Sequence, residues 1–294
     1  MSNALRTEIT STIVEALAGG NLLPWRKPWS VDPNAPGLHT SLSSGSAYKG
    51  INQLLLMCSA MKNDFRSKWW GTFNQIKQQG GRVLKGAKST VVVLYRPVER
   101  TKIDETGSEV DDSFFMMRSF RVFNADQTTL GKFHVSEAVS DGVPFERYEH
   151  ADEVIDAIGA DLRHGGSEAF YHIKGDYIQL PHRSRFESPE AYYETSLHEH
   201  MHHSESRLDW DCEKEGYAKG ELRAEIGACL LMAELGLPVA QNLDNHASYL
   251  QHWLRQLRED PNFIFFVSAQ SNKAVDYLLS FSKQPAETEE PAIA

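Results

Sequence analysis

Leu5, Ile9, Ile13 and Leu17 recur every four residues at the start of the chain, and Gly19-Gly20 follows them. Side chains four apart share one helix face and glycine closes a helix, so the pattern predicts an opening amphipathic helix. Residues 30–47, rich in Ser, Gly and Pro, read as loop. A second helix is predicted where Ile51, Leu54, Leu55, Cys58 and Met61 fall on one face. After Trp69-Trp70-Gly71, Thr72 and Gln75 are spaced as a capping box, and Gly80 closes that short helix. The period then changes. Residues 90–95 are β-branched and 114–123 form their partner strand, with an acidic, mobile connection expected over 99–112.

Periodicity is lost near residue 133, where a linker is expected. Val154, Ile155, Ile158 and Leu162 predict the next helix, and residues 169–173 and 177–180 two short strands around the turn Lys174-Gly175-Asp176. Ser188 as N-cap, Pro189 at the first helical position and Glu190 at the positive end start another helix, whose apolar stripe is Tyr193, Leu197 and Met201. Leu222, Ile226, Cys229, Leu230 and Ala233 predict a helix ended by Gly236 and Pro238. Further helices are expected over 247–257 and 264–281, then a disordered Pro/Glu/Thr/Ala tail. The order of elements reads as an α+β chain in two domains. Residues 1–135 form an N-terminal mixed α/β domain, 136–150 a linker, 151–283 a mainly helical domain with a small sheet, and 284–294 the tail.

Chemistry enters with residues 195–203, which contain His198, Glu199 and His202 as His-Glu-x-x-His. Two histidines four apart lie one turn above each other, so both imidazoles can grip one ion while Glu199 works on its water. This is the pattern of zinc-dependent peptidases. A tetrahedral catalytic site needs a third protein ligand. Glu225, on the following helix, is the first candidate and Glu221, one turn earlier, the second. Twelve histidines raise the odds of a chance match, but the capped helix and the carboxylate-bearing helix after it favour a metal site. Zinc is the expected ion, with manganese as the other choice. His200 and His203 point to other faces and are expected bystanders.

The net charge of −10 hides an asymmetry. Residues 1–135 carry 17 Lys and Arg against 11 Asp and Glu; the remainder carries 13 against 29. An anionic partner is therefore expected on the first part. Trp25-Arg26-Lys27-Pro28-Trp29 brackets two cations with two aromatic rings, a stacking platform for unpaired bases or simply buried surface. Tyr48 and Lys49 precede a helix N-terminus, and Lys85 and Lys88 lie in the basic, glycine-bearing loop 81–89. Arg96, Arg118 and Arg121, interleaved with Tyr95, Phe120 and Phe123, give the strand pair a character suited to single-stranded nucleic acid, although alternate residues must face the core. Three cysteines without a Cys-x-x-Cys make no disulfide framework, and a reducing cytoplasm is the expected home. No apolar run long enough to span a membrane occurs.

Tyr48-Lys49-Gly50-Ile51-Asn52, Lys85-Gly86-Ala87-Lys88-Ser89 and 123–128 (Phe-Asn-Ala-Asp-Gln-Thr) resemble the N-terminal domain of ArdC-type antirestriction proteins. Tyr192-Tyr193, the His198-Glu199-x-x-His202 motif, Arg207-Leu208 and 224–228 (Ala-Glu-Ile-Gly-Ala) resemble that family's C-terminal domain. The resemblance covers about residues 5 to 280. It implies an N-terminal single-stranded-DNA-binding domain, a zincin-like metallopeptidase domain and protection of conjugating plasmid DNA from host restriction. By matching positions it implies His198, His202 and Glu225 as metal ligands and Glu199 as the catalytic glutamate. With the loops above, the candidate DNA contacts are Trp25, Arg26, Lys27, Tyr48, Lys49, Asn52, Lys85, Lys88 and Gln127. The chain departs from the family at His200 and at His203-Ser204-Glu205, where an apolar residue and Trp-Thr-Gly are usual. A DNA-binding metallopeptidase acting on DNA-bound host proteins is the leading expectation, and a non-enzymatic DNA shield with a structural metal the alternative. A nuclease ranks last, because one ion held by two His and a Glu suits peptide hydrolysis better than a two-metal phosphodiester site.

Overall fold

The computed structural model describes residues 2–19, 34, 37–98, 101–103, 109–111, 114–135, 145–210, 215–238 and 247–282. Trp25, Arg26, Lys27, Cys212, residues 136–144 of the expected linker and the tail from 284 lie outside the described residues. In chain order the elements are α1 (Ser2–Gly19), β1 (Thr40–Ser41), α2 (Ile51–Asn63), β2 (Trp69–Thr72), α3 (Phe73–Gln78), β3 (Thr90–Val98), β4 (Thr101–Ile103), β5 (Glu109–Asp111) and β6 (Phe114–Asn124). Then come α4 (Phe145–Ile158), β7 (Asp161–His164), β8 (Phe170–His172), β9 (Tyr177–Leu180), α5 (Pro189–Arg207), α6 (Tyr217–Glu234), α7 (Ala247–Glu259) and α8 (Phe263–Ser280). Among the described residues no helix is long and apolar enough to cross a membrane.

Contacts divide the chain into two units, Met1–Gly142 with Gln241–Ala269, and Val143–Ala240 with Gln270–Ala294. The first unit thus takes in a segment that the sequence pattern assigns to the second. The expected linker is shortened as well, because α4 already begins at Phe145.

In the first unit, β1, β2, β6 and β3 form a sheet in that order, with β1 parallel to β2 and the other pairs antiparallel. One face packs Trp70, Val92 and Val122 against Leu56 and Ala60 of α2. Gln53, fully buried on α2, accepts from the His39 N–H at 3.0 Å and donates to the carbonyls of His39 (2.9 Å) and Tyr48 (2.7 Å). One side chain thereby satisfies three backbone groups that burial would otherwise leave unpaired. The capping box holds: Thr72 Oγ1 accepts from Gln75 N–H, and the Gln75 side chain answers the Thr72 N–H. Within the connection 99–112, β4 and β5 pair antiparallel. α1 packs on α2 and on α7.

In the second unit, α4 stops before Gly159, whose φ of 71° is one that glycine tolerates and other residues resist. Leu162, expected on that helix, therefore starts over as part of β7. The small sheet runs β7-β9-β8, with β7 parallel and β8 antiparallel to β9, so β8 is an edge. Ser188 Oγ accepts from the Ala191 N–H at 3.2 Å and starts α5 as its sequence predicts. The buried stripe Tyr193, Leu197 and Met201 holds α5 in the core, and α6 packs on it.

At Gly227 the Met201 side chain of α5 lies against α6. A methyl group there would stand 2.0 Å from Met201 Cε, 2.4 Å from Sδ and 3.0 Å from Cγ. Gly→Ala inside a helix ordinarily gains about 1 kcal/mol. The atoms the methyl group meets are the flexible end of the Met201 side chain, itself 1% exposed, so it fits only if that buried side chain repacks. Overpacking of this kind costs about 1–3 kcal/mol and should win. Gly227→Ala is expected to lower the urea midpoint of the second unit; a raised midpoint would show that Met201 repacks without strain.

Candidate metal centre and nucleic-acid residues

α5 presents His198 and His202 one turn apart, 18% and 16% exposed at their side chains. Their Nε2 atoms are 3.2 Å apart. Glu221 of α6 completes the set, with Oε2 3.6 Å from His198 Nε2 and Oε1 3.5 Å from His202 Nε2. Donors bonded at about 2.0–2.1 Å to one tetrahedral ion stand about 3.3–3.4 Å apart, and the three separations here, 3.2, 3.5 and 3.6 Å, bracket that value. The donor set fits a single divalent ion.

Glu225, the first candidate for third ligand, sits elsewhere. It is 1% exposed, with Oε2 4.0 Å from His198 Nδ1, behind the ring rather than at its metal-facing nitrogen. It groups instead with Glu194 and Cys229 in the core. The placement has a simple cause. Glu221 and Glu225 occupy the same stripe of α6, and the way α6 packs on α5, which sequence spacing does not fix, decides which turn meets the histidines. His202 has its own rear carboxylate, Glu205 Oε2 at 3.3 Å from Nδ1. His202 thus has an acceptor at Nδ1, the arrangement that orients metal-binding histidines and raises their basicity, while Glu225, at 4.0 Å, acts on His198 by charge alone.

Glu205 is held in turn by Arg223, a fully buried guanidinium donating to Glu205 Oε1 (Nε 3.1 Å, Nη2 2.5 Å), Glu215 Oε2 (2.6 Å) and Gln270 Oε1 (2.9 Å). The Trp210 ring lies 4.4 Å from its carbon. Burial would depress the His202 pKa, but its hydrogen bonds with Glu205 and Glu221 outweigh burial and push it up to about 10. Burial likewise works to raise Glu221, and the hydrogen bonds and charges of the two histidines override it, holding the carboxyl well below the usual range. Metal binding at His202 therefore competes with a proton.

Glu199 points from the same helix into a buried setting, 8% exposed. Burial raises its pKa; the neighbouring imidazoles and a hydrogen bond from the Tyr171 backbone N–H pull the other way and lose. Tyr171 belongs to the edge strand β8, which is pinned at its far side. The Tyr171 hydroxyl donates to Asp176 Oδ1 (2.8 Å), and Arg207 Nη2 reaches both Asp176 oxygens at 2.9 and 2.8 Å. His200 and His203 are buried, as expected of bystanders, and burial pushes both pKa values down to about 4. Of the possible donors to a developing oxyanion, Tyr192 is 1% exposed with its hydroxyl 3.0 Å from His164 Nε2. Tyr217 is 70% exposed, one turn before Glu221. Glu205 was legible as an i+3 neighbour of His202; nothing in the sequence marks Arg223 as buried.

The nucleic-acid candidates separate into two groups. Asn52 is committed to the fold: Nδ2 donates to the Val93 carbonyl at 2.7 Å and Oδ1 accepts from its N–H at 2.8 Å. Gln127 is too, accepting from the Asn124 N–H and donating to the Lys88 carbonyl, each at 2.9 Å. Tyr48 packs on the core, and burial raises its pKa despite a hydrogen bond with Ser41. The amides of Asn52 and Gln127 fasten loops to the fold. Lys49, Lys85 and Lys88 are exposed.

A model of zincin-like metallopeptidases matches residues 149–270, and one of the N-terminal domain of the anti-restriction factor ArdC matches residues 3–123. Two DNA primases TraC of Escherichia coli are 34% and 33% identical over 94% of the chain, which spans only 27% and 20% of their lengths. An uncharacterised protein of Sinorhizobium fredii, y4eC, is 30% identical over 92% of this chain and 90% of its own. The metal-free crystal structure of antirestriction protein ArdC from plasmid R388 superposes with a TM-score of 0.77 at 35% identity, covering 96% of this chain and 99% of that one. Its Mn(II)-bound structure gives 0.74 at 34% identity, covering 95% and 98%. With the donor set above, these likenesses support one divalent metal, and both zinc and manganese accept such nitrogen and oxygen donors. The geometry predicts that Glu221→Ala weakens metal binding by more than about 100-fold, whereas Glu225→Gln and Glu205→Gln each lose about 10- to 100-fold. Calorimetric titration with Zn(II) and Mn(II) measures this, and a larger loss at Glu225 than at Glu221 would return Glu225 to the ligand set.

Proposed function

The chain belongs to the family of ArdC-type antirestriction proteins, and on that premise we propose that it protects incoming plasmid DNA from host restriction. Its first unit binds single-stranded DNA, and its second is a metal-dependent peptidase. The observation that carries the peptidase reading is the convergence of His198 Nε2, His202 Nε2 and the Glu221 carboxylate beside a buried glutamate, Glu199. The DNA reading is supported by the ArdC N-terminal match and by the positive charge excess of residues 1–135.

His198, His202 and Glu221 would hold the ion. A bound divalent metal supplies Lewis acidity that polarises a peptide carbonyl and makes water nucleophilic near neutral pH. Glu199, kept basic but poorly solvated, takes the proton of the attacking water and delivers it to the leaving amine. Its contact with the Tyr171 N–H sets it against β8, whose outer edge carries no strand among the described residues. An extended peptide laid along that edge would pair with β8 and bring its carbonyl toward Glu199. Glu205 and Arg223 keep the His202 ring in register. DNA-bound host proteins are the substrate class this reading implies.

Glu199→Ala should lower peptide cleavage by at least about 100-fold, the usual worth of a general base, with metal content unchanged. Normal cleavage by that variant would sink the mechanism. In a plasmid-transfer assay into a restricting host, the same variant separates the two roles: lost protection assigns it to proteolysis, and retained protection assigns it to the DNA-binding unit. Affinity for a single-stranded oligonucleotide should fall with salt, with a log–log slope of about −0.7 per phosphate contacted. Salt-independent binding, or a strong preference for duplex, would contradict the DNA reading.

A further inference from the structure

Residues 118, 120, 122 and 124 of β6 share one face of the sheet with 90, 92 and 94 of β3, because strand side chains alternate. Along that face burial changes abruptly. Val122 is 1% exposed and Val92 5%, both under α2. Two residues on, Phe120 is 42% exposed and Leu94 50%, and Arg118, the register partner of Leu94, is exposed beside them. The apolar pattern continues past the point where its cover stops. The reason lies in Asn52, the second residue of α2. Its two hydrogen bonds to the Val93 backbone fix the start of the helix level with Val93, so no turn of α2 reaches Leu94 or Phe120. Lys49, exposed, closes a turn with Asn52 (N–H to carbonyl, 3.3 Å) at that same end.

We propose that Phe120, Leu94 and Arg118 form the face on which this protein holds single-stranded nucleic acid, with unpaired bases laid on Phe120 and Leu94 and adjoining phosphates met by Arg118 and Lys49. The assignment rests on the DNA-binding reading above. An aromatic ring in a flat, half-exposed setting offers stacking to any unpaired base and nothing to a duplex, whose base faces are hidden. The charge fits the same occupant: two cations flank the apolar pair, in the half of the chain with a positive excess.

The test is fluorescence anisotropy of the full-length protein with labelled (dT)20 and with a matched duplex, over a salt series. Phe120→Ala should lower affinity for (dT)20 about 5- to 150-fold, as the loss of one stacked base does, and abolish the preference over duplex without changing the salt slope. Arg118→Gln should flatten the slope by about 0.7, as for one phosphate contact. Phe73→Ala removes an aromatic ring that is 58% exposed at the start of α3, off this face, and should change affinity less than twofold. If the wild type fails to bind (dT)20 even at low salt, the DNA reading itself fails. If the wild type binds and Phe120→Ala binds equally well, or Phe73→Ala costs as much, the DNA reading stands and this face is the wrong one. A Phe120→Ala variant that changes oligomeric state instead of DNA affinity would overturn the proposal in favour of a contact between copies of the chain.

Discussion

The second unit depends on how closely α5 and α6 approach. Two histidines on one helix make at most two bonds to an ion, and the third must arrive from another element. Here it arrives from α6, where Gly227 leaves room for the Met201 side chain of α5. Glu221 lies on the same helix as that glycine, so one helix carries both a core contact with α5 and the third donor. Packing and chemistry are one constraint at this point.

Behind the donors the core is unusually charged. Arg223 is fully buried, and an unpaired guanidinium there would cost several kcal/mol. Glu205, Glu215, Gln270 and the Trp210 face all meet it. Apolar residues would fill the same volume at less electrostatic risk. What they would not provide is a fixed acceptor at His202 Nδ1, which Glu205 supplies only while Arg223 holds it in place.

Much of this was legible in the sequence wherever local chemistry decides structure. Ser188 and Pro189 start α5, Thr72 and Gln75 cap α3, and the β-branched run at 90 pairs with 114–123, because each signal acts within a few residues. Errors arose where distant parts decide. Glu221 and Glu225 share a helical stripe, and only the packing of α6 on α5 distinguishes them. Asn52 and Gln127 lie in motifs that identify the family, yet both spend their amides on backbone groups far along the chain, at Val93 and Lys88. Leu162 continued an apolar period that Gly159 had already broken, since backbone conformation outranks periodicity when φ turns positive.

The first unit is discontinuous in the chain. Arg6 donates to Asn262, and Thr10 to the Pro261 carbonyl, across separations of 256 and 251 residues. A ribosome adds about 5–20 residues per second, so α1 waits about 10–50 s for the segment that covers it. During that interval Ile9, Ile13 and Leu17, all buried in the finished fold, lack their α7 partner. The second unit is discontinuous too, since Arg223 closes onto Gln270 and Ser271 beyond α7. During synthesis the apolar face of α1 therefore has α2 as its early partner and gains α7 only once Ala247–Glu259 has been made, so that face is completed late.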